Sequence, residues 1–559
     1  MILMNPKKYQ TEYPDERSRE IMLKTIDFFE SRGRGQLKKD DHERAWYQEF
    51  LDFQKDEKVF SDLLTPTTYA LGPNARWDTW RNCGFNEITS FYGLNYWYTW
   101  QVSILGLGPI WMGQNEAVKK KTAELLAQGG IFAFGLSEKE HGADLYSTSM
   151  ALKPLGDGKY EADGRKYYIG NANKAALVST FGKLTDTGDY VFFVVSSEGG
   201  GYEVVKNIVN SQNFVAEYAL HNYPIADADI LTRGRDAWDS ALNTINVGKF
   251  NLGWASIGMC THSFYEAIDH AAGRFLYDHY VTDFPHIKQL FNDAYTRLVA
   301  MKLFALRAAD YMRSASVEDR RYLLYNPMVK MKVTTQGEEV MNLLWDVIAA
   351  KGFEQGVRDI RALPKLEGTV HVNMALIIKF MPNYFFNPGS FPEIGKRMDA
   401  ANDDFLFQQG ATKGLSKIQF HDYQIAYGSS DLPNVNVFKG QIEVLKQMLL
   451  TAPPTEGQKK DIGWLLTLGE LFTLVAYGQL ILENAKIYGV YDELVDQIFD
   501  FMVRDFSKYA LELYSKTSST AEQMELCTRM IAKPVADQAR FDKVLAEAYS
   551  LRDQYHWSD

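Results

Sequence analysis

A chain of 559 residues is long enough for about three to four domains. Its 46% apolar fraction excludes wholesale disorder, and its net charge of −11 excludes the global basic charge of a non-specific nucleic-acid binder, so no nucleic-acid partner is expected. Three scattered cysteines, Cys83, Cys260 and Cys527, exclude a disulfide framework and a CxxC metal knuckle, and they fit a reducing, cytoplasmic setting.

The start, Met1 to Pro6, is too short an apolar run for a signal peptide. Residues 1–128 read as an N-terminal helical domain. Glu16 to Arg32 carries Ile21, Met22, Ile26 and Phe29 at helical spacing, and a second helix is expected from near Glu43 with Trp46, Phe50, Leu51 and Phe53. The aromatic run Phe91 to Trp100 fits either a ligand cavity or a buried helix.

Residues 129–237 read as a small β domain. Ile131 to Leu136 is a buried-strand pattern. Leu152 to Asp157 and Tyr160 to Ala162 are bounded by the turn signals Asp157-Gly158 and Asp163-Gly164, and Lys166 to Ile169, Ala176 to Leu184 and Tyr190 to Ser196 follow as strands. Gly199-Gly200-Gly201 reads as a flexible turn. Helical periodicity returns near Trp238, giving a helical bundle over 238–385, with Ile287, Leu290, Phe291, Ala294 and Leu298 as one stripe. Breaks at Pro382 to Pro392 and at Pro453-Pro454 flank and divide a C-terminal helical extension, 386–559. Within it Leu465 to Leu482 is nearly apolar enough to span a membrane, but Glu470 and Gln479 interrupt it, so a core helix is expected and only peripheral membrane contact stays open.

Two loops carry candidate chemistry. Phe134 to Asp144 is a polar loop at a strand end, where amides and a hydroxyl suit the edge of a planar heteroaromatic; it contains neither G-x-G-x-x-G nor a Walker lysine. Glu367 precedes Thr369, a fair N-cap for the apolar helix Val370 to Phe380. A loop carboxylate beside an apolar cavity is a good general base, and the same carboxylate on the surface would only favour the helix dipole. His141, His262, His270, His279 and His286 have no metal-ligand spacing, so no metal is expected.

The helices–sheet–helices order and several strings resemble the acyl-CoA dehydrogenase/oxidase superfamily of flavoproteins, well over about residues 70 to 380 and loosely before them; the C-terminal helices resemble the extension of some larger members. Phe134 to Asp144 is similar to the family's flavin loop, with Ser137 at the hydroxyl position for the flavin pyrimidine edge, Gly142, Ala143 and Asp144 at its end, and Phe134 and Leu136 leading into it. Asp163 to Asn171 resembles the strand that places an aromatic residue, here Tyr168, beside the isoalloxazine, with Gly170 near flavin N5. Asn246 to Arg274 resembles the next helix, ending in an FAD-binding arginine, and Arg358-Asp359 with Leu366-Glu367-Gly368-Thr369 resembles the stretch bearing the α-proton base.

The resemblance implies a mainly α fold with helical, small β-barrel and helical-bundle domains plus the extension. It implies FAD as cofactor, an acyl-CoA substrate, Glu367 as base, an acceptor such as an electron-transfer flavoprotein, and a homodimer or homotetramer. An oxygen-using acyl-CoA oxidase and a non-catalytic scaffold of the same fold are the alternatives. The departures are Gly170 where the family has threonine, Ala143 for serine, Tyr277-Asp278 for Phe-Gly, Pro285 for a glutamine, and Ala349-Ala350-Lys351-Gly352 for Gly-Gly-Asn-Gly.

Overall fold

Asp15 accepts from the Ser18 amide and starts α1 (Glu16–Arg32), which buries Ile21, Met22, Ile26 and Phe29 as the spacing predicts. The expected helix from near Glu43 begins later: an intervening helix, Arg34–Glu43, is closed by Arg44 in a left-handed conformation, and the next one runs Gln48–Asp56. The computed structural model describes residues 2–351, 354–396 and 403–558.

The aromatic run falls on the end of α2 (Thr79–Tyr92) and the start of α3 (Leu94–Met112), which meet at Gly93. Trp97 and Trp100 are fully enclosed, so most of the run is helix packing. Tyr98 is the exception described below.

Eight strands follow: β1 (Phe132–Gly135), β2 (Ala151–Gly156), β3 (Lys159–Gly170), β4 (Leu177–Leu184), β5 (Tyr190–Val195), β6 (Tyr202–Asn207), β7 (Val215–Ala226) and β8 (Ile230–Arg233). Their order is β6-β7-β3-β2-β4-β5-β8, with β1 parallel to β4. The pairing path ends at β6 and β8, so the expected barrel is left open. Asp157 and Gly158 both take positive φ and form the predicted hairpin turn.

Asp163-Gly164 is not a turn. β3 runs straight through it with a register shift against β7, and the Cβ that any other residue would add at Gly164 falls 3.0 Å from the Met150 backbone. The glycine signal was real, but it marks a bulge in a continuous strand. A second shift, between Lys166 and Ile169, puts Tyr168 in the left-handed region (φ 65°) and turns its ring outward, 43% exposed.

The chain then enters α4 (Gly234–Gly248), α5 (Phe250–Gly273) and α6 (Pro285–Arg313); Pro285 occupies the first turn of α6, where no amide is needed. A π-helical turn, Val329–Val333, leads into α7 (Thr334–Ile348). Of the Ala349 to Gly352 departure, Gly352 lies outside the described residues. After α8 (Val370–Ile377) the last long helices are α9 (Pro433–Thr451), α10 (Ile462–Tyr488) and α11 (Asp492–Tyr514). α10 is apolar all round and long enough to cross a bilayer, yet 83% of its most apolar stretch is buried in the protein, as expected of a core helix. Phe304 of α6 packs on Tyr477 of α10, and Asn484 donates to the Leu303 carbonyl at 2.7 Å.

Candidate active site

Glu367 stands in the loop before α8. Thr369 accepts from the Val372 amide and caps the helix, and the two residues before it take positive φ, Glu367 at 52° and Gly368 at 92°. A glutamate in that region costs roughly 1–3 kcal/mol and needs support from its surroundings. Lys330, on the π-helical turn, supplies it by donating to the carbonyls of Pro364 and Gly368, one on each side of Glu367. π-helical turns recur at functional sites because the extra residue re-aims a side chain.

The Glu367 carboxylate keeps part of its surface open but lies deep among protein atoms. Gln101 of α3 donates to both its oxygens, at 2.8 and 3.0 Å. Burial pushes the carboxyl up to about 7, against the opposing pull of the Gln101 donor and of the Lys330 and Lys249 charges. Lys249, at the start of α5, is only 6% exposed; burial lowers it to about 8 and Lys330 to about 7. Three groups that titrate near neutrality therefore stand close enough to feel one another's charge, a pattern characteristic of functional sites.

The other expected residues gather at the sheet end of α3. Phe134 and Leu136 are buried at the end of β1, Phe134 stacked on Phe192. The Ser137 carbonyl accepts from the Tyr167 amide at 3.0 Å, which ties the loop to β3 and leaves the Ser137 side chain half-exposed. Gly142 and Ala143 lie exposed farther along that loop. Gly170 is buried, and a Cβ there would fall 2.6 Å from Val102 Cγ1 and 2.9 Å from Tyr98 Oη. A threonine cannot occupy this position as α3 now stands. The space holds instead the hydroxyl of Tyr98, which has no hydrogen-bond partner among the described residues; burial and the nearby Tyr168 and Glu367 charges push it above the usual phenol range. Gly170→Ala is expected to cost about 1–3 kcal/mol by overpacking. Thermal unfolding checks this, and a variant as stable as the parent would mean that α3 yields.

Arg274 is not brought to this cluster. It follows the last residue of α5, and 24 residues at ~1.5 Å each put it about 36 Å from the Lys249 end. Beyond it an exposed hairpin, Phe275–Leu276 with His279–Tyr280, turns at Tyr277-Asp278, both left-handed.

Sequence reasoning missed four supports. Glu138, inside the quoted loop, accepts from Thr148 Oγ1 (2.6 Å), the Ser149 amide (2.7 Å), the Met150 amide (3.0 Å) and Lys166 Nζ (2.8 Å). Burial would raise its carboxyl, but the Lys166 charge and these donors outweigh burial and hold it down to about 2. Lys166 also donates to the Leu136 carbonyl, so this buried pair rivets the loop to β3. Gln101, Lys249 and Lys330 were the others, and their only signal was a polar residue inside an apolar helical run. A cavity of about 530 Å³ along the C-terminal half of α5, lined by Arg34, Phe91, His262, Glu266, Arg358 and Trp557, holds none of these groups. Its charges are paired, Arg34 with Glu266 and Arg358 with Asp41 and Asp359.

Comparison with known proteins places the chain beside one family. Residues 236–381 match the family model "Acyl-CoA dehydrogenase, C-terminal domain". A 3-(aryl)acrylate reductase of Clostridium sporogenes is 23% identical over 290 residues, 49% of this chain and 75% of the relative. An acyl-CoA dehydrogenase of Bacillus subtilis is 24% identical over 296 residues, 50% of this chain and 75% of the relative. Among solved structures, a Bacillus anthracis acyl-CoA dehydrogenase complexed with FAD superposes with a TM-score of 0.73 at 15% identity, covering 98% of this chain and 96% of that one, so the extension belongs to a shared fold.

Proposed function

We propose that this chain, which belongs to the acyl-CoA dehydrogenase superfamily, makes an α,β-double bond in an acyl-CoA thioester with Glu367 as the base. The observation that carries this reading is the half-buried carboxylate held by its own donor, Gln101, with two buried lysines nearby and a titration close to neutrality. At neutral pH such a carboxylate is basic enough to take a proton acidified by a neighbouring thioester and still be ionised. The Lys330 clamp fixes the loop, so the Glu367 backbone amide is available, as a fixed donor, to developing enolate charge.

The residues at the β1–β3 end fit a flavin. Ser137 and Tyr98 present hydroxyls not spent within the described protein, the Glu138–Lys166 pair holds the loop rigid, and the outward Tyr168 ring offers a flat face. Bound there, FAD would supply the hydride acceptor for the β-carbon. Given its distance from Lys249, Arg274 would serve a flavin held by a second subunit, which favours a homodimer or homotetramer. The reduced cofactor would pass its electrons to an external acceptor such as an electron-transfer flavoprotein.

The test is anaerobic mixing of FAD-loaded protein with a panel of acyl-CoA thioesters across pH. Flavin reduction is expected to fall as pH drops through about 7, where Glu367 gains its proton. A rate flat across that window excludes Glu367 as the base. Purified protein is expected to hold roughly one FAD per chain, and Ser137→Ala to weaken it by about 1 kcal/mol, the worth of one hydrogen bond. Protein that takes up no FAD on reconstitution rules out the cofactor and with it the reaction.

A further inference from the structure

Behind Glu367 three side-chain amides stand in a row. Gln101 Nε2 donates to the Glu367 carboxylate and, at 2.9 Å, to the Gly248 carbonyl. Gln101 Oε1 accepts from Asn251 Nδ2 at 3.0 Å, and Asn251 Oδ1 accepts from Asn86 Nδ2 at 2.8 Å. Asn86 Oδ1 accepts from two indoles, Trp97 Nε1 at 2.7 Å and Trp100 Nε1 at 3.1 Å. All five side chains are 5% exposed or less.

The direction of this row is forced. An indole N–H only donates, so two of them turn the Asn86 oxygen toward themselves and its nitrogen toward Asn251. The Asn82 carbonyl, accepting from the same Asn86 nitrogen at 2.6 Å, enforces the same sense. Asn251 must then show its nitrogen to Gln101, and Gln101 its nitrogen to Glu367. The Gly248 carbonyl holds that nitrogen from the other side. Reversing any member would set oxygen against oxygen or N–H against N–H in a dry interior, where each unmet group is costly.

We infer that Gln101 is a positioning residue for Glu367, held donor-first by a relay through Asn251 and Asn86 to the indoles of Trp97 and Trp100. Among the described residues Glu367 makes no ion pair, so a neutral donor with a fixed sense, rather than a contact cation, aims and ionises it. The charged and titratable groups that face this site are Lys249 at the head of α5, Lys330 on the π-helical turn with Lys365 beyond it, and Tyr98 of α3 with Tyr168 behind. Neutral substitutions in the relay leave all of them in place.

The kinetic consequence rests on Glu367 being the base, so the test reads its titration directly as well. In FAD-loaded protein the protonated-carboxyl infrared band of Glu367, assigned by its loss in Glu367→Gln, is followed against pH. Gln101→Met keeps the length and deletes the donor; the titration midpoint is expected to rise by about one pH unit, roughly the worth of one hydrogen bond to a charge. Asn251→Leu does not touch Glu367, yet it frees the Gln101 oxygen and is expected to move the midpoint the same way by less. The acid limb of flavin reduction should follow both shifts. Unmoved midpoints in both variants, with FAD content retained, overturn the inference; a shift in Gln101→Met alone overturns the relay. If Asn251→Leu fails to fold, Gln101→Met still decides the donor role. Normal flavin reduction in Glu367→Gln would sink the base reading and leave the titration result standing.

Discussion

Glu367→Gln is expected to bind FAD and acyl-CoA as the parent does and to reduce its flavin about 10²- to 10⁴-fold more slowly. The substitution keeps the side chain's size, and its oxygen can still accept from Gln101. What it removes is the only carboxylate that the Lys330-clamped loop presents to Gln101 and Lys249. The competing account, in which Glu367 only favours the positive end of α8, predicts a loss of about 0.3–1 kcal/mol of stability and nearly intact turnover. The pH dependence of stability separates the two a second time. Burial raises the folded-state value of Glu367 from 4.5 to about 7, so the folded protein holds that proton more tightly than the unfolded chain. The resulting stability is fully present below about 4.5 and is lost as pH rises through about 7. Glutamine carries no such proton, so unfolding of the variant should depend less on pH across that window. Stopped-flow reduction and thermal unfolding, each across pH, measure both. Parent-like reduction in the variant would move the base elsewhere.

Much of this site was legible in the sequence because backbone needs leave residue-level marks. Thr369 had to cap α8, and Glu367 had to precede it. The loop after β1 was marked by its polarity, and the helices–sheet–helices order by a change of period. The missed parts are those where three dimensions decide. Asp163-Gly164 signals a positive-φ glycine in either a turn or a bulge, and only the pairing of β3 with β7 chooses between them. β6, β7 and β8 were not marked as strands, although Gly199-Gly200-Gly201 signals the turn just before β6. Gln101 and Asn251 are polar residues in apolar helices, and nothing along the chain shows that they meet: they are 150 positions apart. Lys249 and Lys330 face Glu367 only because α5 and the π-helical turn converge on its loop. The Gly170 departure read as a lost hydroxyl; the structure shows that its space is already filled, by Val102 and Tyr98.

The C-terminal region is expected to be inseparable from the core, and Asp505→Ala is the sharpest single test. Arg297 of α6 donates to both oxygens of Asp505 of α11, at 2.7 and 2.9 Å, and each residue is 7% exposed. Glu339 of α7 reaches the same guanidinium at 3.1 Å, and the guanidinium also lies over the Phe501 ring at 4.4 Å. Burial alone would raise the Asp505 carboxyl, but Arg297 outweighs it and holds it below its ordinary value. Its contribution to stability is therefore present above the unfolded value and lost as pH falls. Removing Asp505 leaves a buried guanidinium with one partner where it had two, a loss of about 3–5 kcal/mol. That is a large share of the roughly 5–15 kcal/mol that holds a domain together. Cutting the chain after Asn387 does this and more. It strips Tyr423 and Phe472 from Tyr384 and Phe385, and α10 from α6, leaving faces that only aggregation can cover. The fragment is expected to be insoluble, and Asp505→Ala to be soluble, to hold FAD and to reduce it normally once bound, but to unfold at markedly lower denaturant. A soluble, fully active fragment would show that α9 to α11 are an appendage rather than part of the core.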